Sequence, residues 1–292
     1  MNSRLGPALA PGPQAFFIEG VAPAGGQRLV LFHAPVGPVK AAVLFLHAFG
    51  EEMNKSRRMA AMTARALAAA GFAVLQLDLL GCGDSSGDIE QAGWADWIND
   101  AVAGATWLQQ RYPGPLWLWG QRAGCLLAAE AAPFLAGDLH FLFWQPQASG
   151  KQTLQQFLRL KMASQMQQGA SKGVTEGLHA ELAQGRAVEV AGYRITPALA
   201  LGMAASGLQR PPPSTGANVV WLEVTSRVPA ALLPASASVL ANWQAAGYQV
   251  SSQAVAGPPF WQTVEIEDAP ELVTATVQHL LRSQAQTAAA RP

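Results

Sequence analysis

Near-continuous apolar runs alternate with helix-forming segments along most of this chain, and that alternation restricts the fold more than any other feature. "KAAVLFLHAFG", "FAVLQLDLL", "PLWLWG", "LHFLFWQPQ" and "NVVWLEVTS" are separated by runs such as "NKSRRMAAMTARALAAA" and "WADWINDAVAGATWLQQRY". A strand that is apolar at successive positions is covered on both faces, as in a parallel sheet flanked by helices. "QAFFIEG" and "QRLVLFHAP", joined through Gly25-Gly26, add an N-terminal antiparallel hairpin. Half of the 292 residues are hydrophobic and 13% are charged, so a large buried core is expected. The length favours one large domain, or a domain with an insertion, over two independent units.

The alternation breaks between Ala148 and Arg210, where Gln, Ala and Met dominate, "TLQQFLRLKMASQMQQ" is helical and "AVEVAGYRIT" forms a small hairpin. Pro211-Pro212-Pro213 closes this stretch, and the βα pattern then resumes through "SASVLANWQAAG", "YQVSSQAVAG" and a last helix in "PELVTATVQHLLRS". The expected division is a core of residues 1–147 and 211–292 with a cap inserted at 148–210. The final residues, "QAQTAAARP", read as a frayed tail.

Composition also narrows the function. The formal net charge is +0, so no global field draws the chain to nucleic acid. The N-terminus lacks the long apolar run of a signal peptide, and no run is long enough to cross a bilayer. The two cysteines, Cys82 and Cys125, imply neither a disulfide framework nor a cysteine-rich zinc site. The reading is cytoplasmic, without metal or cofactor.

"LWLWGQRAGC", Leu116 to Cys125, is written as strand, sharp turn and helix. That is the context of the Gly-x-Ser-x-Gly nucleophile elbow, framed here by Gly120 and Gly124. Arg122 stands where serine would. Upstream, "LFLHAFGEE" resembles the His-Gly-x-Gly loop whose amide supplies half of an oxyanion hole, which would be that of Phe49. His47 and Gly50 would structure this loop, and the amide of Ala123 would be the second donor. "DLLGCGDSSG" resembles the Asp-x-x-Gly-x-Gly-x-Ser loop after the next strand. These signals, in this order, with an insertion after the strand beyond the elbow, are the plan of the α/β-hydrolase fold.

"HAFGEEMNKSRRM", "DLLGCGDSSGD", "SGKQTLQQFLRLKMA", "VEVAGYRITPALA" and "FWQTVEIEDAPELVTAT" together resemble the exosortase A system-associated hydrolases of the second type, over nearly the whole chain. The resemblance implies an α/β-hydrolase that accompanies bacterial exopolysaccharide and exosortase protein-sorting systems, without naming a substrate.

The triad positions are not filled. A guanidinium cannot be deprotonated in a protein, so Arg122 is neither nucleophile nor base. The acid should follow a late strand, where the chain reads Gln145-Pro146-Gln147 or Thr225-Ser226-Arg227. The histidine should follow the last strand, where it reads Pro258-Pro259-Phe260-Trp261-Gln262. Asp268 and His279 have the right order, but Asp268-Ala269-Pro270-Glu271 reads as a helix cap that puts His279 inside the helix. His140 and His179 read as packing or surface residues, and both cysteines as structural.

Arg122, with the amides of Ala123 and Phe49 and a helix N-terminus, would make a receptor for an anion. The leading expectation is thus a pseudo-hydrolase binding an anionic or lipid-linked small molecule, or a protein of the exopolysaccharide system, with Glu51, Glu52 and Trp261 in the pocket. The alternative is an active ester or thioester hydrolase without a serine, using water activated by Glu51 or Glu52. For Arg122 itself the competing reading is an internal salt bridge to Glu51 or Glu52 that plugs the pocket. Lys55, Arg57 and Arg58 read as surface cations, and Glu176 or Glu181 could reach the pocket from the cap.

Overall fold

The computed structural model describes residues 12–21, 23–167, 173–209 and 216–289. The triple proline and the first eleven residues lie outside them. A sheet of eight strands runs in the order β1-β2-β4-β3-β5-β6-β9-β10. These are β1 Gln14–Glu19, β2 Gln27–His33, β3 Ala41–Leu46, β4 Phe72–Leu77, β5 Leu116–Gln121, β6 Leu139–Trp144, β9 Asn218–Thr225 and β10 Gln249–Ala256. β1 and β2 are antiparallel to each other, and β2 is antiparallel to β4; the pairs from β4 to β10 are parallel. The strands of that parallel part are linked by α1 Glu51–Ala69, α2 Trp94–Arg111, α3 Ala123–Ala131 and α7 Pro234–Ala245, and α8 Pro270–Ala289 follows β10.

The apolar runs do what their pattern demands. β3 and β5 are buried at every position, and the core divides into two clusters. One is built around Leu44, Leu118, Phe141 and Trp97, and the other around Val43, Trp117, Trp119 and Leu222. Alternate residues of each strand thus serve opposite faces, as the pleat requires. Between β6 and β9 lie α4 Gly150–Gln167, α5 Val174–Ala183, the hairpin of β7 Val188–Val190 and β8 Tyr193–Ile195, and α6 Pro197–Ala205. The hairpin turns on Ala191 and Gly192, both at positive φ, the geometry of a two-residue type I′ turn. α6 packs on α2 of the core as well as on α4.

Two boundaries differ from the sequence reading. α8 continues to Ala289, into the expected frayed tail, because Gln284 to Ala289 are mostly helix formers with no glycine or proline to stop them. α1 begins at Glu51, not Asn54, because Gly50 at φ 59° turns the chain directly into the helix.

The C-terminal ends of the parallel strands meet at one edge. β3 pairs with β4 on one side and with β5 on the other, so the chain changes direction across the sheet between β3 and β5. Loops leaving such a switch point border a crevice, and in open α/β sheets that is where ligands bind. Gly120 is opposite Leu46 and Gln121 is opposite Trp144, which sets the elbow beside the loop after β3 and the end of β6.

Candidate ligand site at the elbow

The backbone of a nucleophile elbow is present without the nucleophile. Arg122 links β5 to α3 at φ 54° and ψ −116°, a region that costs a side-chain-bearing residue about 1–3 kcal/mol. Its N–H donates to the Trp144 carbonyl at 2.9 Å, and its own carbonyl accepts from Cys125 at 3.1 Å. Packing around the turn requires glycine on both sides. A Cβ on Gly120 would lie 2.5 Å from Cys125 Cα, and one on Gly124 would lie 2.1 Å from the Leu46 carbonyl oxygen. Ala123 is the first residue of α3, so its amide is one of those a helix cannot satisfy internally.

The loop after β3 is held by His47, which is 6% exposed. The Leu79 amide can only donate, so His47 Nε2 accepts from it at 3.4 Å, and Nδ1 donates to the Ala48 carbonyl at 2.7 Å. Burial holds the imidazole below its ordinary pKa, against the opposing effects of the Ala48 bond and Asp78. It is a neutral clamp on the loop, with both nitrogens committed.

Arg122 is not a free cation. Its Nε donates to both carboxylate oxygens of Glu52 at 3.2 Å, and Nη2 donates to Oε1 at 3.0 Å. The guanidinium carbon lies 5.5 Å from the centroid of the Trp261 ring. A second bridge runs beside this pair: Gln121 Nε2 donates to Ser56 Oγ at 2.7 Å, and Ser56 Oγ donates to the Glu52 carbonyl at 2.7 Å. Elbow and α1 are therefore fastened twice. Of the two readings for Arg122, the structure has the internal ion pair, which corrects the expectation of an open anion receptor. The physical reason is proximity: α1 starts three residues earlier than its sequence suggested, which brings Glu52 over the elbow.

The pair does not plug the site. Beside it is a cavity of about 690 Å³ lined by Phe49, Glu51, Glu52, Phe157, Trp261 and further residues of α4 and the loop after β10. Arg122, Glu176 and Glu181 are not among its lining residues. Lys55 is, which corrects its placement on the outer surface, whereas Arg57 pairs with Asp78 and Arg58 with Asp268. Glu51 accepts from the Tyr193 hydroxyl at 3.0 Å and from Asn54 Nδ2 at 3.1 Å, tying the β7–β8 hairpin to the start of α1. Burial, and then this bond, push the Tyr193 phenol up to about 12.

The sequence had not singled out Tyr193, which holds Glu51, nor Gln147 and the α4 residues Thr153, Gln156, Phe157 and Leu160, which line the cavity. For α4 a signal existed. The spacing 153, 156, 157, 160 is one helical face, and its mixture of polar and aromatic groups suits a cavity wall better than a core.

The remaining triad positions hold structural residues. Gln145 Oε1 accepts from the Val224 amide at 2.7 Å, and Thr225 Oγ1 accepts from the Arg227 amide at 3.1 Å. Trp261 stands where the histidine would follow the last strand, 4% exposed, with its Nε1 unpartnered among the described residues. His279 lies inside α8 against Ser251 and Gln253. His140 Nδ1 in β6 accepts from the Asn218 amide, and His179 is in α5. Asp268 does not cap α8, which starts at Pro270 after Ala269; its carboxylate is held instead by Arg58 in a bidentate pair. Both cysteines are buried. Burial pushes the Cys82 thiol up to about 12 and raises Cys125 further.

Sheet order, elbow and insertion define an α/β-hydrolase fold. Residues 37–160 match the family model described as serine aminopeptidase, S33. That stretch includes the elbow and the loop after β6, one of the two places for the acid, and ends before β9 and β10, whose loops hold the other and the place for the histidine. Solved structures of similar fold include a highly thermostable carboxyl esterase from Bacillus coagulans in complex with glycerol, with TM-score 0.61 and 13% identity over 92% of this chain and 98% of that one. Est1E from Butyrivibrio proteoclasticus gives 0.59 and 11%, over 92% and 99%. An α/β serine hydrolase without lid from Xanthomonas campestris gives 0.53 and 16%, over 95% and 97%. No curated protein matches the sequence significantly. The chain thus has the α/β-hydrolase fold, and over residues 37–160 it is similar to the serine aminopeptidase family. No helix among the described residues is long and apolar enough to cross a membrane.

Proposed function

We propose that this protein is a pseudo-hydrolase, a ligand-binding member of its superfamily that performs no acyl transfer. The observation that carries this is the Arg122–Glu52 pair beneath Trp261. Serine catalysis needs a nucleophile, a base that takes its proton and an acid that orients the base. Here an ion pair and an indole occupy the nucleophile and histidine positions. The same pair counts against the non-serine alternative. Glu52 has its oxygens engaged by a guanidinium and Glu51 has one engaged by Tyr193 and Asn54, so neither is poised to activate water.

What remains is a cavity of a size that suits a small molecule, within the roughly 300–1,000 Å³ typical of ligand pockets. Residues 148–210 act as its cap, with Phe157 edge-on to Phe49 across the cavity wall. The ligand is lipid-linked or otherwise amphiphilic, since aromatic and aliphatic side chains meet carboxylates and amides there. The resemblance of "EEMNKSRRM" and "GCGDSSGD" to exosortase-associated proteins supports a setting in a bacterial exopolysaccharide and exosortase system.

The test is a panel of chromogenic esters and acyl-thioesters, with a fluorophosphonate label, on the purified chain. No turnover and no labelling is the expected result. Turnover that Arg122→Ala abolishes would replace this reading with a non-serine enzyme.

A further inference from the structure

The cavity is built at the place where this fold ordinarily presents a helix N-terminus and backbone amides to a developing negative charge. Arg122 adds a full positive charge, yet Glu52 takes it up with three donor–acceptor contacts of 3.0–3.2 Å. Both Glu51 and Glu52 then line the cavity. An entering carboxylate or phosphate would have to expel Glu52 or lie against two like charges, with Lys55 as the lining cation. Such like-charge placement is how a site rejects a wrong partner.

Apart from Thr153, whose hydroxyl donates to the Ser149 carbonyl, the other polar lining groups are amides. Gln147, Gln156 and Gln262 each offer both a donor and an acceptor, and the carboxylates offer acceptors. A hydroxyl satisfies both kinds at once, since it donates to a carboxylate and accepts from an amide N–H. Phe49, Phe157 and Leu160 supply an apolar wall beside them.

We infer that Glu52 selects the ligand by charge. By neutralising Arg122 it closes the cavity to anions and reserves it for an uncharged amphiphile, with its alkyl or acyl chain on Phe49, Phe157 and Leu160 and its hydroxyl-bearing head at Glu51, Glu52 and the glutamines. This rests on the binding function proposed above.

The experiment is calorimetric titration of the full chain, below micelle-forming concentrations, with three probes sharing one tail: octyl glucoside, octyl phosphate and octylammonium. The wild type should bind octyl glucoside at least about 10-fold more tightly than either charged probe. Gln156→Trp, an exposed α4 position on the cavity wall, should weaken octyl glucoside by about 10-fold or more. Glu52→Gln should raise octyl phosphate affinity by at least about 10-fold, because it frees the guanidinium. A wild type that prefers octyl phosphate or octylammonium overturns the charge rule, and needs no variant to fold. So does a folded Glu52→Gln protein with unchanged octyl phosphate affinity. If a charged probe is preferred and Gln156→Trp blocks it, the binding function stands without the charge rule. If none of the three binds, the charge rule falls. Hydrolysis of monooctanoylglycerol would refute the pseudo-hydrolase reading alone.

Discussion

Removing Arg122 tests whether the ion pair holds the elbow to α1. The side chains of Arg122 and Glu52 are 11% and 25% exposed. Exposed pairs contribute about 0–1 kcal/mol, and losing one partner of a fully buried pair costs about 3–5 kcal/mol. Glu52 borders a cavity where its orphaned carboxylate can hydrate, so the loss is set near 2 kcal/mol, between those limits. The contact with Trp261 adds about 0.5–1 kcal/mol. Arg122→Ala should therefore destabilise the protein by about 3 kcal/mol in urea unfolding, with an unchanged denaturant slope. For a chain this long the unfolding entropy is about 0.6 kcal/mol per kelvin, which makes that a fall of about 5 °C in Tm. Arg122→Gly removes the same contacts but also the backbone strain at φ 54°. Relief of about 1–3 kcal/mol, set against about 0.5–1 kcal/mol for glycine's extra freedom, should leave it about 1 kcal/mol more stable than Arg122→Ala. In a double-mutant cycle with Glu52→Ala the coupling should be about 2 kcal/mol. Strict additivity, or Arg122→Ala as stable as the wild type, would refute the structural role of the pair. Gly less stable than Ala would refute the strain argument.

Three further outcomes follow from the same geometry. Gly124→Ala forces a Cβ to within 2.1 Å of the Leu46 carbonyl, a backbone clash that should cost about 3 kcal/mol or more in urea unfolding; a near-neutral result would mean the elbow can shift. Cys82 and Cys125, buried with raised pKa values, should resist Ellman's reagent at pH 8 in native buffer and react only in denaturant. His47, His33 and His279 are each held below the ordinary histidine value by burial. The unfolded chain therefore takes up protons first as pH falls below about 6.5, and stability should drop from there downwards, by at most about 1.4 kcal/mol per pH unit for each histidine. His47→Gln should make that slope shallower, and an unchanged slope would show that His47 titrates normally.

The parallel sheet was legible because burial on both faces writes itself into local composition: Ala41 to Leu46 and Leu116 to Gln121 are buried throughout. The elbow was legible because strand, Gly-x-x-x-Gly and helix are written in consecutive residues, although Gly124 itself answers to the carbonyl of Leu46, distant in sequence. The partners of the charged groups were not. Glu51 and Glu52 are adjacent on α1 and about 100° apart around it, so only the helix orientation decides that Glu52 meets Arg122 while Glu51 meets Tyr193. Asp268 with Glu271 has the spacing of a capping box, yet Arg58, distant in sequence, takes its carboxylate. Local spacing proposes such pairings, and tertiary approach chooses among them. The cavity itself belonged to the second kind of information, since its walls come from α1, α4, the β7–β8 turn and the loop after β10.

The elbow's turn and its two obligatory glycines are independent of which side chain residue 122 carries, so the fold keeps the frame whether or not chemistry is performed there. The replacements nonetheless depend on one another: Arg122 needs Glu52 for charge, and Trp261 offers its face where a histidine would have to offer a lone pair. Restoring the hydroxyl alone should then restore nothing. Arg122→Ser would place an alcohol beside a Glu52 left without its partner, while His47, the histidine fixed in the neighbouring loop, has both nitrogens committed to Ala48 and Leu79. With no base to take its proton, that serine should remain unlabelled by a fluorophosphonate in a protein that circular dichroism shows to be folded. Rapid labelling would mean that Glu52, released from the guanidinium, can itself act as the base.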